Sequence, residues 1–468
     1  MIQMFDSIIE GLTDSITDSV NRLFDKEIRI GVTGLSRGGK TAFITSLVNT
    51  FLNFGNEGMS DRLSRFSAYD KSGIFYGGIA PNHDLSVPQF PYQECYDALV
   101  ASNPQWPTPT DNISEIRLEI KFRDDRIFVP GEHRNLFIDI WDYPGEWLMD
   151  LMLLNMSYEQ FSKKMREQVK KLTAVVDSTS KLFDYRGKLK PNEPVDHKQL
   201  KSVVGTYVDW LKQCKQRGFA LIVPGRFVLP GNLEGAPIIE FVPWLWEDFV
   251  PDSRSDSLYN TMKFRYENYR EKIVKKFYSD SFSKLDRQII LIDCFKALQG
   301  GKETYNNIND TFEVLLNNFN YGSNNILSRI FSPNIDKVIF AATKADQITI
   351  DEQKNLLSLL KSMVTSASRK VRGEGSNCQY MVLSSIAATR CKMINHRGDN
   401  IQVLSTDYED DKSYYPGEIP PNWSQESMEA YQKYFKFKEL RPPKLSAGDP
   451  VPNMNMDIML QYILGDKL

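Results

Sequence analysis

Ile28, Ile30 and Val32 alternate with polar or small residues, the period of a half-buried strand. Past a glycine-containing turn the period changes, and Phe43, Ile44, Leu47, Val48, Phe51 and Leu52 fall on one helical face. Period two returns at Ile116, Leu118, Ile120 and Phe122, interleaved with Glu115, Arg117, Glu119 and Lys121, which gives a strand with one solvated face. A turn and a short further strand are expected at 126–129, and longer strands within 136–146, 289–294, 337–346 and 380–388. Helical periods run over about 155–176, 198–217 and 256–286, with a last one at about 455–464. Residues 53–113, rich in Gly, Pro, Ser and Asn, read as a long connection, and the polar, proline-rich stretch before the last helix as a surface elaboration.

Chemistry gathers at the ends of these strands. Gly34, Gly39, Lys40 and Thr41 fit G-x-x-x-x-G-K-[ST] between a strand and a helix. Phosphates need several backbone N–H groups at close approach, which Gly34, Gly38 and Gly39 permit. The following helix aims its positive end at them, Lys40 adds a full charge, and the Thr41 hydroxyl can ligate Mg2+. Ser36, Arg37 and Ala42 complete this expected contact set.

The strand at 136–142 ends in Asp142-x-x-Gly145; the carboxylate can hold Mg2+ through water and the glycine N–H can meet a γ-phosphate. The strand from 337 runs into Thr343-Lys344-x-Asp346. A carboxylate there can accept from both the ring N–H and the exocyclic amine of guanine, a donor pair that adenine lacks on that edge, while the Lys344 stem can pack over the base. Ser384, Ser385 and Ile386 stand at a strand end, where backbone N–H groups can reach the guanine O6.

Composition narrows the field. With 468 residues the chain exceeds one ordinary core, and 41% hydrophobic with 25% charged residues describes a globular protein. A net charge of −3 gives no support for nucleic-acid binding. Five scattered cysteines without a C-x-x-C pair argue for reduced thiols in the cytoplasm and against a cysteine zinc site. No apolar run is long enough for a membrane span and no signal-peptide pattern is present, so integral membrane association is not expected. Residues 4–24 form an amphipathic helix whose polar face is acidic, which suits docking on protein better than on lipid.

The order P-loop, D-x-x-G, T-K-x-D, S-S-x resembles the P-loop GTPases. The chain is more closely similar to the YcjX-like family of bacterial GTPases, through GLSRGGKT at 34–41, WPTPT at 106–110, SEIRL at 114–118, DYPGEW at 142–147, PGRFVLPG at 224–231, FSPNIDK at 331–337, FAATKAD at 340–346, YPGE at 415–418 and the terminal GDKL.

The resemblance implies a Ras-like core with a family-specific helical domain. The strand and helix patterns give an α/β fold with a mixed, mostly parallel sheet of five or six strands, the SEIRL strand pairing antiparallel with its neighbour, plus an inserted, mainly helical domain. The expected division is a first part of the core at 1–147, the helical insert at 148–285 and the second part of the core at 286–468. The resemblance further implies GTP and GDP as substrate and product, Mg2+ as cofactor, slow hydrolysis and a cytoplasmic role in bacterial stress response. A homodimer, or a protein partner reached through the helical domain, is the expected assembly.

Three departures from small GTPases bear on mechanism. Glu146 fills the slot after D-x-x-G that usually holds a water-orienting glutamine; it can accept from water but cannot donate an amide N–H. Arg37 sits where guanylate-binding proteins carry an arginine that resembles an internal arginine finger, so it is the expected cis-acting charge, the alternative being a solvent-facing side chain. Thr343 replaces a commoner asparagine. The first switch must offer a threonine to Mg2+ and γ-phosphate; Thr110 is preferred over Thr108. Two functions stay open on this reading: a GTP-hydrolysing switch using Arg37, Lys40, Thr110 and Gly145, or a nucleotide-sensing scaffold with negligible turnover, for which Glu146 speaks.

Overall fold

The computed structural model describes residues 26–34, 38–82, 84–109, 112–123, 133–173, 176, 178–184, 189–216, 223–246, 254–299, 335–365, 369, 376–408, 413–421 and 438–468, with 424, 426, 429, 431 and 435 between the last two stretches. The expected helix at 4–24 and strand at 126–129 lie outside them.

In chain order the strands are β1 (Lys26–Gly34), β2 (Ile74–Ala80), β3 (Ser114–Arg123), β4 (His133–Asp142), β5 (Arg287–Ile292), β6 (Lys337–Ala342), β7 (Asn377–Val382), β8 (Arg390–His396) and β9 (Asp399–Ser405). The longer helices, with one short helix that bears on the site, are α1 (Lys40–Leu52), α2 (Tyr92–Val100), α3 (Gly145–Asp150), α4 (Tyr158–Leu172), α5 (His197–Gln216), α6 (Leu258–Asn268), α7 (Gln353–Met363) and α8 (Met456–Leu464). Seven strands form one sheet in the order β2-β3-β4-β1-β5-β6-β7, and β8 and β9 make a separate hairpin. The pairs β2/β3 and β3/β4 are antiparallel; the remaining pairs of the large sheet are parallel. The SEIRL strand pairs antiparallel with its neighbour as expected, but its polar face is not solvated throughout: Glu115 is buried.

The pleat sends successive residues of the parallel strands to opposite faces, and each face has its own apolar core. Ile289, Leu291, Ile339 and Ala341 join Ile28, Ile30 and Val32 beneath Phe43, Ile44, Leu47, Val48 and Phe51 of α1 and Met459, Leu460 and Ile463 of α8. Ile290, Ile292, Val338, Phe340 and Ala342 face Leu356, Leu359 and Leu360 of α7 and the aromatic side chains that follow β4. Each buried aliphatic of this kind contributes about 1.5–3 kcal/mol relative to exposure, so a one-residue slip of β5 or β6 would exchange two cores at once.

Between β4 and β5 the described chain is mainly helical, interrupted by irregular stretches at 189–196 and 240–246. Ser157 opens α4 with a capping box, accepting from the Gln160 N–H at 3.3 Å while the Gln160 side chain accepts from the Ser157 N–H at 2.8 Å. Ser257 caps α6, which runs through a π-helical turn, Tyr269–Val274, into Lys275–Asp280. Tyr158, Phe161, Tyr207, Trp210, Tyr266 and Tyr269 are buried there, and they belong to the same apolar cluster as one face of the sheet.

Two readings from the sequence need correction. The sheet has seven described strands rather than five or six, because β2 lies inside the stretch read as a connection. Its glycines hid it: a Cβ on Gly77 would stand 2.1 Å from the Phe51 carbonyl oxygen, so the close approach of the α1 end demands glycine where a strand pattern would show an apolar residue. Residues 53–113 also carry α2. Likewise the β8–β9 hairpin precedes the proline-rich stretch, turning at Arg397 and Gly398 with φ of 54° and 96°, the positive pair that a tight hairpin with right-twisted strands requires.

Candidate functional site

A cavity of about 1080 Å3 opens at the carboxyl ends of the parallel strands. The turn after β1, the segment after β4, Asp293 after β5, the loop after β6 and the residues after β7 all line it. In open parallel α/β sheets this rim is where ligands bind, because loops leave the strands there and helix N-termini point back at it.

At one end Gly34, Gly38, Gly39, Lys40, Thr41 and Ala42 form the wall. Gly39 has φ of 78° and starts α1 from the left-handed region, a conformation costly for any residue with a Cβ. Gly145 is fixed by a different constraint: a Cβ there would stand 2.4 Å from the Gly34 carbonyl oxygen, so the D-x-x-G turn is pressed against the end of β1. Lys40 Nζ donates to Asp142 Oδ1, and Asp142 and Thr41 are both buried. Ammonium, hydroxyl, carboxylate and backbone N–H groups are thus brought together where a phosphate chain would lie. Among the described residues no group of three or more His, Cys, Asp or Glu could hold a metal by itself.

At the other end the Asp346 carboxylate is buried and accepts from Ser384 Oγ at 2.6 Å and from the Ala388 N–H at 3.0 Å. Burial raises its pKa above the usual carboxylate value, with the Ser384 and Ala388 hydrogen bonds opposing the shift. Thr389 Oγ1 donates to the Asp346 carbonyl. Thr343 N–H donates to the Ile292 carbonyl at 3.0 Å, which ties this loop to the end of β5. Lys344 adopts φ of 62° and ion-pairs with Asp293 at 2.6 Å. Ser384, Ser385 and Ile386 complete this end.

The structure therefore brings Gly34, Gly38, Gly39, Lys40, Thr41, Ala42, Gly145, Thr343, Lys344, Asp346, Ser384, Ser385 and Ile386 to one cavity, with Asp142 hydrogen-bonded to its Lys40 wall. Thr108 lines it as well. Ser36, Arg37 and Thr110 lie outside the described residues.

Sequence reasoning missed several contributors, of which three bear on the chemistry or the closure of the cavity. Asp293, immediately after β5, had a signal, an acidic residue closing an apolar strand. Leu440 reaches the wall because its carbonyl accepts from Trp106 Nε1 at 2.8 Å. Lys215, in the last turn of α5, enters by pairing with Glu146 at 2.7 Å. The latter two arrive through tertiary contacts that leave no local pattern.

Comparison with known proteins agrees over nearly the whole chain. Residues 28–468 match the family described as YcjX-like family, DUF463. A relative from Escherichia coli (strain K12), named Ras-like GTPase YcjX, is 35% identical over 467 residues, covering 98% of this chain and 99% of the relative. One of the same name from Shewanella oneidensis is 32% identical over 488 residues, covering 99% of each. The mixed, mostly parallel sheet with helices on both faces fits a Ras-like P-loop α/β core. On these matches the chain belongs to the YcjX-like family.

Proposed function

We propose that the protein binds guanine nucleotides and hydrolyses GTP to GDP and phosphate. The observation that carries this reading is the convergence of a glycine turn with Lys40, the Asp142–Gly145 turn, the Asp346 loop and the Ser384–Ser385 strand end on one cavity. The two relatives, both named Ras-like GTPases, point the same way.

In this reading the backbone from Gly34 to Ala42, with Ser36 and Arg37, wraps the phosphates. Lys40 turns its ammonium from Asp142 to the β- and γ-groups, and Gly145 N–H meets the γ-phosphate. Asp346 accepts from both guanine donors, Lys344 lies along the base, Thr343 holds that loop, and backbone N–H groups of Ser384, Ser385 and Ile386 approach O6. Thr41 and Asp142 offer a hydroxyl and a carboxylate, hard oxygen donors of the kind Mg2+ takes alongside phosphate oxygens and water, and they would hold it together with Thr110. Bound there, the ion screens the phosphate charge during transfer. Arg37 adds charge in cis.

The helical segment 148–285 is proposed as an inserted domain that responds to the nucleotide, between core parts at 1–147 and 286–468. Support comes from α3, which begins at Gly145 and ends at Asp150, whose carboxylate accepts from Gly225 N–H at 2.6 Å and Tyr269 Oη at 2.6 Å. A pull on Gly145 thus reaches the helical segment through a single short helix of six residues. A cytoplasmic stress-response role rests on the family resemblance, and a second copy or another protein is proposed to meet the helical segment.

Single-turnover hydrolysis of GTP and ATP across a concentration series, with Lys40→Ala as control, tests the reading. GTP is expected to turn over and ATP not, with activity lost in Lys40→Ala. A rate per molecule that rises with concentration would add self-association. Equal use of ATP would overturn the guanine assignment, and tight GTP binding without turnover would replace the enzyme by a nucleotide-sensing scaffold.

A further inference from the structure

Glu146 and Lys215 both line the cavity, and their side chains are only 15% and 27% exposed. The pair joins the residue directly after Gly145 to the last turn of α5, far along the chain, at 2.7 Å. Gly225 packs on the Glu146 carbonyl oxygen so closely that a Cβ there would stand 2.0 Å from it. Glu146 is thus packed by Gly225 at its main chain and ion-paired with Lys215 at its side chain.

A carboxylate can accept a hydrogen bond from water and take its proton, but its charge opposes that of a triphosphate in the same cavity. A counter-charge on the carboxylate removes the conflict. We propose that Lys215 is a positioning residue for hydrolysis: it cancels the Glu146 charge and holds the carboxylate where it can orient the attacking water. The proposal rests on the reading of the protein as a GTPase. Glu146 takes one proton from water as the water oxygen bonds to the γ-phosphorus. The bond from that phosphorus to the β–γ bridging oxygen breaks, its electron pair leaves with GDP, and Glu146 returns the proton to inorganic phosphate.

The test measures single-turnover GTP hydrolysis, GTP affinity and the urea unfolding midpoint on the full chain. It compares wild type with Lys215→Met, Lys215→Arg, Glu146→Gln and the Glu146→Gln, Lys215→Met double variant. Lys215→Met is expected to lower the rate at least tenfold with affinity and midpoint unchanged, and Lys215→Arg to recover most of it. On the Glu146→Gln background the lysine change should cost less than twofold, because a residue that works through Glu146 has nothing left to position. A wild-type rate in Lys215→Met, additive losses in the double variant, or a joint fall of rate, affinity and midpoint would each overturn the proposal while leaving the GTPase reading standing. A wild-type protein that hydrolyses no GTP would overturn both.

Discussion

Asp346 shows how much one side chain can be asked to do. Its carboxylate accepts hydrogen bonds from Ser384 Oγ and the Ala388 N–H, which aim it, and under the proposed function it has to remain ionised for two guanine donors. Burial works against that ionisation by raising the pKa above the ordinary carboxylate value, and the hydrogen bonds from Ser384 and Ala388 oppose the shift. GTP affinity should therefore weaken as pH falls through this raised value, at a higher pH than an exposed aspartate would produce, and titrating affinity from pH 7.5 to 4.5 checks it. Affinity in an Asp346→Asn variant should be lower by about 1.5–3 kcal/mol for each charged acceptor bond lost, with that pH dependence gone. The same substitution should favour xanthine, whose carbonyl at the position of the guanine amine accepts from the new amide; a variant that still prefers guanine would refute the assignment. Asp346, Lys40 and Asp142 were legible from sequence because a few fixed spacings after strands carry their chemistry. Lys215 was not: a lysine in the last turn of an amphipathic helix is also what favourable helix-dipole placement produces, and only the fold reveals its partner.

At the scale of elements, α3 and the short helix Gly225–Val228 form the joint between the phosphate end and the helical segment. The Arg226 guanidinium lies 3.4 Å from the Trp147 ring centroid, and Trp147 Nε1 donates to the Leu229 carbonyl at 3.0 Å. A methyl group on Gly225 would meet the Glu146 carbonyl oxygen at 2.0 Å, backbone against backbone. Gly225→Ala is accordingly expected to destabilise by about 1–3 kcal/mol in urea unfolding and to lower GTP turnover by displacing Glu146; normal turnover would separate this joint from the chemistry. Asp150 supplies a pH test of the same joint. Burial pushes it up to about 6 against the hydrogen bonds from Tyr269, Gly225 and Arg226, from an ordinary 3.8. The folded value lies above the unfolded one, so its contribution is complete below 3.8 and is lost as pH rises through about 6. Relative to Asp150→Asn, the wild type should gain stability when urea unfolding is moved from pH 7.5 to 5.0, and parallel profiles would contradict this. Strands with alternating or unbroken apolar residues were readable from sequence, whereas β2 was not, because the approach of α1 required Gly77 where the pattern needed a side chain.

For the molecule as a whole, the decisive feature is where the cavity walls come from. They begin at Gly34 and end at Leu440, and take in segments beside β1, β4, β5, β6 and β7 together with Lys215 of the helical segment. A ligand that touches several of these segments binds the folded chain and has no comparable site on the unfolded one, so its binding energy becomes folding energy. At a hundredfold excess over its dissociation constant such a ligand adds about 2.7 kcal/mol to global stability. GDP and GTP should therefore raise the unfolding free energy by that amount and move the unfolding midpoint up with it, and ATP at equal concentration should leave both unchanged, because adenine offers the Asp346 carboxylate no matching donor pair. The gain ought also to appear as slowed amide exchange on both sides of the cavity, at the turn before α1 and at the Trp106–Leu440 contact. Protection confined to the first of these would mean that phosphates are gripped without the wall from residues 438–440. Equal stabilisation by ATP would remove the guanine assignment altogether.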